Sequence, residues 1–584
     1  MSILIERQVA APMRDGVVLR ADVYHDPDRG PAPVLLLRTP YGKDGTEARG
    51  FSPIDAVERG YTFVIQDCRG TWSSEGEFTP FLQEIDDGYD TVEWCAAQPW
   101  ANGRVGMLGV SYMGATPWLA SIAAPPSLQA IYAALTGSDY HDGWIYQGGA
   151  FYLGFVFGWA VQFFGLAGLR RAGVDEATYR SREEEVFAGL MKLRKTCSET
   201  PLREHRFFTE LAPSPVLRDW LDTPPDDEFW RQVSIRANAG RITVPALSVG
   251  GWYDLFAAGP IQNFLALREQ GATEAARDGT RLVVGPWNHG ASGGAQNVAG
   301  AVDFGWDARL DMQELAYSWF DHWLRDEPLP ASLVAPVRYF TMGSNEWRTA
   351  ESWPPTEVST VALHLHSEGH ANSLSGDGAL SPDAPGEEPS DTFRYDPLNP
   401  VPTVGGGGRF DGAFDHRRVE ERDDVLVYST PPFEQPFEIH GPLRLELSVA
   451  SDAPEADFTA KLLEVSPEGF ARNLSEGVVR SRYALPQGET RMRPGHVYQL
   501  ELDLLNTSNR FEPGSRLRLE VSAGSYPRFD RNPQTGELAA TATEFVAAQH
   551  SVHHSAAHPS RLWLRVSDAV RGAWPPLVRD FPSE

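Results

Sequence analysis

A serine in a tight strand-to-helix turn, followed far along the chain by an aspartate and then a histidine at strand ends, is a residue set able to transfer an acyl group. Ser111 lies in Gly109-Val110-Ser111-Tyr112-Met113-Gly114, directly after the apolar run Val105 to Leu108 and before an Ala-rich helical stretch with Trp118 and Leu119. Such a turn strains the serine backbone, and small flanking residues let strand and helix approach. Gly109 and Gly114 meet that need, although Met113 stands where the generic pattern has a glycine two after the serine. A serine hydroxyl is a weak nucleophile at neutral pH, so an imidazole must take its proton and a carboxylate must fix the imidazole tautomer. Asp254 closes the run Pro245 to Val249 through Gly250-Gly251-Trp252-Tyr253, and His289 follows Leu282 to Val284 through Gly285-Pro286-Trp287-Asn288. Reactive groups of a doubly wound sheet project from the carboxyl ends of its strands, which predicts all three at one rim. His141 and His322 are the competing bases.

Acyl transfer also needs donors aimed at the developing oxyanion. The Tyr112 backbone amide is one candidate. The second belongs to the loop after an early strand, here Thr39-Pro40-Tyr41-Gly42-Lys43, where Tyr41 offers its phenol. Asp67 and Arg69 read as a pair bracing the serine turn. The run His550, His553, His554 and His558 precedes an alternating strand, and no metal is assigned to it. Gly405 to Gly408 lacks the strand, helix and lysine of a phosphate loop and reads as a flexible connector. No cofactor is implied.

The elements that must position these groups follow from periodicity. Apolar runs of strand length, Val34 to Leu37, Tyr61 to Ile65, Val105 to Val110, Ile131 to Leu135, Ala246 to Val249 and Leu282 to Val284, alternate with helical patterns such as Met312, Leu315, Trp319 and Trp323. This predicts an α/β fold with a parallel, doubly wound sheet over residues 1–145 and 243–355. Residues 146–242 break the alternation and read as an inserted helical cap. Beyond Pro354 the period becomes two, as in Leu443, Leu445, Leu447 and Val449, so 356–584 is expected to be all β.

The chain has 584 residues and 51 Lys plus Arg against 79 Asp plus Glu, a net charge of −28. That charge disfavours nucleic acid and anionic membranes as partners. Three scattered cysteines, Cys68, Cys95 and Cys197, form no disulfide framework and fit a cytoplasmic protein. Gly143 to Leu169 carries no charged residue and is long enough to span a bilayer. A single span there would put Ser111 and the Asp254/His289 pair on opposite sides, so a buried cap helix is expected. The sequence leaves monomer and homodimer equally open.

Thr39-Pro40-Tyr41, Asp67-Cys68-Arg69-Gly70 with Ser74-x-Gly76, Gln98-Pro99-Trp100-x-x-Gly103, the Ser-Tyr-x-Gly turn, Gly251-Trp252-Tyr253-Asp254 and Gly285-Pro286-Trp287-x-His289 stand in order along the chain. Together they resemble the bacterial cocaine esterase and X-Pro dipeptidyl-peptidase family of serine hydrolases over nearly the whole length. The order Ser, Asp, His is also that of α/β-hydrolases. The resemblance implies an α/β-hydrolase core, an inserted helical cap and a C-terminal jelly-roll β domain. It places the nucleophile on Ser111, the acid on Asp254, the base on His289 and the oxyanion donors on Tyr41 and the Tyr112 amide. It further implies acyl-pocket aromatics at Trp144, Trp159 and Phe256. Relatives that take α-amino acid esters carry acidic residues just after the aspartate, whereas this chain has Leu255-Phe256-Ala257 there. Asp139 and Asp142 are the remaining candidates for holding an ammonium group. The expected activity is hydrolysis of small-molecule carboxylic esters with a bulky or aromatic acyl group. The alternatives are an amide hydrolase, either a β-lactam side-chain acylase or an X-prolyl dipeptidase, and a non-catalytic carbohydrate-binding protein.

Overall fold

A computed structural model describes residues 2–45, 50–290, 296–408 and 411–569. The continuous apolar runs become the buried centre of a ten-stranded mixed sheet. In spatial order the parallel strands are Thr62–Asp67, Ala32–Thr39, Ala101–Val110, Leu128–Ala134, Ala246–Tyr253, Arg281–Asn288 and Val337–Thr341. Ala32–Thr39 and Ala246–Tyr253 are buried at every position, which is why they read as unbroken apolar runs. Antiparallel strands Leu4–Pro12 and Val18–His25 complete one edge and Glu346–Ala350 the other.

Alternation along Ala101–Val110 sends Val105 and Met107 to the layer holding Trp118 and Leu119, and Leu108 and Val110 to the layer holding Leu315 and Trp319. Both faces of the sheet are thus covered by helices, as period-two strands between apolar helix faces require.

Between Ala150–Phe151 and Ala246–Tyr253 the chain is helical, including Leu153–Trp159, a π-helical turn Ala160–Leu166, Glu176–Leu190 and Pro215–Asp222. The helix Leu153–Arg171 has 19 residues and a mean hydropathy of 1.3, enough by length and composition to cross a membrane, yet 56% of its apolar window is buried within the protein. It is the cap helix that the uncharged stretch predicts.

The C-terminal region is an eleven-stranded, mostly antiparallel sheet system of jelly-roll type. Its longest strand, Phe437–Ser451, pairs with Tyr498–Phe511, Ala548–His553 and Arg561–Ser567. Leu443, Leu445, Leu447 and Val449 all point inward. One apolar cluster runs from Trp252, Tyr253 and Ile261 of the α/β core into Leu445, Leu502 and Val521 of the β region. The β region is therefore packed against the end of the strand that carries Asp254.

One local expectation is corrected. Asp67 and Arg69 do not pair: Asp67 accepts from the Lys43 amide at 2.7 Å and the Ser73 hydroxyl at 2.7 Å, while Arg69 bridges Asp87 and Asp15. Asp67 fastens the segments at Lys43 and Ser73, and Arg69 ties Asp15 to the helix carrying Asp87. In the histidine run His550 is buried, His554 bonds Asp391 at 3.0 Å and Glu388 at 3.1 Å, and the His553 and His558 rings lie 5.9 Å apart.

Candidate active site

Ser111 opens the helix Tyr112–Ile122 with φ 62° and ψ −128°, a left-handed conformation that costs a non-glycine residue of order 1–3 kcal/mol. The neighbouring glycines make the turn possible. A Cβ on Gly109 would lie 2.0 Å from the Met113 carbonyl oxygen, and one on Gly114 2.9 Å from the Ala134 carbonyl oxygen. Met113 is buried in the apolar cluster with Leu108, Val110 and Trp287.

The loops after Ala246–Tyr253 and Arg281–Asn288 bring the other two groups to the same rim. A Cβ on Gly251 would meet the Trp287 carbonyl oxygen at 2.4 Å, so the glycine lets the two loops close on each other. His289 Nε2 lies 2.9 Å from Ser111 Oγ, and His289 Nδ1 lies 2.7 Å from Asp254 Oδ2. With Nδ1 protonated toward the carboxylate, Nε2 accepts the serine hydroxyl. The Phe256 amide donates to Asp254 Oδ1 at 2.7 Å, fixing the buried carboxylate from its far side. Of the competing bases, His141 stacks on Tyr146 at 4.7 Å, with its pKa lowered to about 4 by burial, and His322 bonds the Glu327 carbonyl. Neither lines the cavity in front of Ser111.

That cavity has a volume of about 540 Å³. Tyr41 and Trp159 line it, and the Trp159 indole N–H donates to the Tyr41 hydroxyl at 2.9 Å. The Tyr112 amide opens its helix, where first-turn N–H groups have no intrahelical acceptor. The Tyr112 side chain is fully buried below the turn, accepting from the Phe81 amide at 2.9 Å and donating to Glu84 at 3.2 Å, and burial pushes its phenol well above the ordinary pKa. Glu84 in turn pairs with the buried Arg38 guanidinium.

Trp144 and Phe256 do not line the cavity. They stack on each other at 3.9 Å in the layer behind it, fully buried or nearly so, and Phe256 sets its edge against His289 at 5.4 Å. Asp139 and Asp142 also lie outside the cavity wall.

Sequence reasoning missed much of the wall. Phe155 and Phe163 join Trp159 at spacings of one helical turn, an aromatic stripe legible inside the uncharged stretch. The opposite wall comes from the β region through Thr403, Gly407, Gly408, Pro527 and Arg528. The Gly405 to Gly408 run is thus not a loose connector. Tyr152 Oη donates to the Gly407 carbonyl at 2.7 Å, the His289 amide donates to the Gly408 carbonyl at 3.2 Å, and a Cβ on Gly406 would collide with Glu476 at 1.9 Å. Arg528, buried beside this run, is paired with Glu476 and lies over the Tyr152 ring at 5.1 Å.

Known proteins share this architecture. Residues 15–291 match the family described as X-Pro dipeptidyl-peptidase (S15 family), and residues 333–563 match the X-Pro dipeptidyl-peptidase C-terminal non-catalytic domain. The chain is 36% identical to the cocaine esterase of Rhodococcus sp. (strain MB1 Bresler) over 96% of its own length and 98% of that protein's. Among solved structures, an aminopeptidase from a marine sediment Thaumarchaeota archaeon superposes with a TM-score of 0.76 at 24% identity, covering 97% of this chain and 96% of that one. An α-amino acid ester hydrolase superposes with a TM-score of 0.74 at 24% identity and the same coverage. With an α/β-hydrolase sheet, an all-β C-terminal region and a relative this similar along its whole length, the chain belongs to the cocaine esterase and X-Pro dipeptidyl-peptidase (S15) family of serine hydrolases.

Proposed function

We propose that the protein hydrolyses carboxylic esters of small molecules through a covalent acyl-enzyme on Ser111. The observation that carries this reading is the unbroken chain of hydrogen bonds from Ser111 Oγ through His289 to Asp254, opening into a largely apolar cavity. His289 Nε2 takes the hydroxyl proton as Oγ attacks the acyl carbonyl. Asp254 holds the tautomer and stabilises the imidazolium. The Tyr41 hydroxyl and the Tyr112 amide receive the developing oxyanion. The imidazolium returns its proton to the departing alcohol, and water repeats the sequence to release the acid.

The volume and the rings of Phe155, Trp159 and Phe163 support a bulky or aromatic acyl group. Nothing anionic follows Asp254, since Leu255, Phe256 and Ala257 are buried and apolar, so an ammonium group next to the scissile carbonyl finds no matched charge there. The cavity wall's carboxylate, Asp411, stands on the β-region side beside Arg528 instead, and the apolar segment after Asp254 favours simple esters over aminoacyl esters and over N-terminal dipeptide release. Three buried, unpaired cysteines favour the reducing cytoplasm.

The test is a panel of p-nitrophenyl esters and matched anilides differing in acyl length, aromaticity and α-amino substitution. Highest kcat/KM is expected for aromatic or branched acyl esters without an amino group. Preference for anilides, or a requirement for a free α-amino group, would replace ester hydrolysis by the amide reading.

A further inference from the structure

We propose that Trp159 is a positioning residue for the oxyanion site, acting through the Tyr41 hydroxyl, rather than only an apolar wall for the acyl group. The proposal rests on the reading of Tyr41 as an oxyanion donor and extends it by one residue.

A phenol has one proton to donate and lone pairs to accept. An indole N–H has no acceptor role, so at 2.9 Å the direction of the Trp159–Tyr41 bond is unambiguous: Trp159 Nε1 donates and Tyr41 Oη accepts. Accepting from the indole turns the phenolic proton away from Trp159. It also polarises the O–H, which makes it a better donor in a cavity sheltered from water. The contact fixes one side of the phenolic oxygen, so the hydroxyl is oriented before substrate arrives. Preorganisation of this kind is what gives an oxyanion donor its advantage over water.

The indole is held as a rigid support. Its ring stacks on Trp220 at 5.8 Å and on Phe155 at 5.5 Å and meets Phe164 edge-on at 4.7 Å. Trp159 is the last residue before the π-helical turn Ala160–Leu166, an irregularity that tends to accompany functional sites. The turn brings Phe163 onto the Tyr41 ring at 4.6 Å, so the phenol is clamped by ring contact as well as by the indole. Tyr41 is held from its own side by its amide bonding Thr39 Oγ1 at 3.0 Å. Nearby Trp144 makes the contrast: it packs against Trp159 at 5.4 Å from the layer behind, but its indole nitrogen has no hydrogen-bond partner among the described residues. Packing alone therefore asks for a ring at such positions, while the nitrogen of Trp159 has a specific recipient.

The experiment replaces the N–H and leaves the ring. Trp159 is exchanged for β-(3-benzothienyl)alanine, in which sulfur stands for the indole nitrogen and the bicyclic ring is kept; in parallel Trp159→Phe, which also removes ring area from the wall, reports the effect of shape. Each is measured in the native and Tyr41→Phe backgrounds with a p-nitrophenyl ester. The expected result is a kcat lower by about three- to tenfold with KM unchanged in the native background, the worth of one hydrogen bond. In the Tyr41→Phe background the same exchange should have no further effect. An equal loss in both backgrounds would make Trp159 a shape-determining residue only, and an unchanged kcat for the sulfur analogue in the native background would overturn the proposal. If Tyr41→Phe itself leaves kcat unchanged, the oxyanion reading of Tyr41 fails and the positioning role falls with it, an outcome distinct from failure of the Trp159 exchange alone.

Discussion

The backbone amide of His289 donates to the carbonyl oxygen of Gly408, 3.2 Å away, so the imidazole is anchored by a loop of the C-terminal β region. One residue earlier, a Cβ on Gly407 would stand 2.8 Å from the Asp254 carbonyl oxygen. Two members of the proposed triad thus have their main chains against this glycine run.

The first prediction follows from that contact. Gly407→Ala forces the loop back from Asp254, and Gly408, which holds His289, moves with it. Displacements of about an ångström at a catalytic group cost up to about 10²-fold. Steady-state kinetics should show kcat/KM lower by about ten- to a hundredfold, while circular dichroism retains the native spectrum. Native kinetics in the variant would show that the loop merely lies beside the triad.

Tyr41→Phe removes one of the two proposed oxyanion donors. The loss expected for a single donor is about 10² to 10³ in kcat. Measurement of kcat and KM separately decides the role: a fall confined to KM would place the hydroxyl in ground-state binding instead.

Tyr112 separates a main-chain function from a side-chain one. Its amide is the proposed donor, whereas its phenol lies in the core and bonds Glu84 and the Phe81 amide. Tyr112→Phe leaves two buried polar groups short of a partner and should lower stability by about 1–3 kcal/mol in urea unfolding. The kcat should hold, because the amide is untouched. A large fall in kcat would mean that the phenol network sets the geometry of the turn.

A pH-dependent prediction comes from Glu420, fully buried in the β region. One oxygen meets Arg518 at 2.8 Å and the other has no partner among the described residues; burial first, then the neighbouring Glu520 carboxylate, raises its pKa from 4.5 to about 7. A carboxyl whose folded pKa is raised contributes stability fully below its unfolded value, and that contribution is lost as pH rises through the folded value. Glu420→Gln carries no such titration. Between pH 5 and pH 8, windows set by those two values, the variant should gain on the native protein by about 2 kcal/mol. Thermal melts of both across this range give the result, and a constant offset would contradict the assignment.

Much of the fold was legible because parallel strands buried on both faces leave unbroken apolar runs, as in Val34 to Leu37 and Val105 to Val110. The edge strands Leu4–Pro12 and Glu346–Ala350 were not, since an edge is half exposed and its pattern is irregular. Ser111, Asp254 and His289 could be singled out because glycines and strand ends mark where each must stand. The β-region wall could not. Gly407 and Arg528 reach the cavity through packing between distant parts of the chain, and a glycine run has the same sequence whether it is a loose linker or a place where two backbones touch. Trp144 and Phe256 show the converse: aromatic residues near the site in sequence, and matched by family, stack one layer behind it.

The most direct test of the account is covalent labelling. The protein is treated with a fluorophosphonate and digested, and the modified peptide is sequenced by mass spectrometry, with p-nitrophenol release followed in parallel for the native protein and for Ser111→Ala. A single adduct on Ser111 and a stoichiometric burst are expected in the native protein, and neither adduct nor burst in the variant. An adduct on another residue, or turnover that survives in Ser111→Ala, would contradict it.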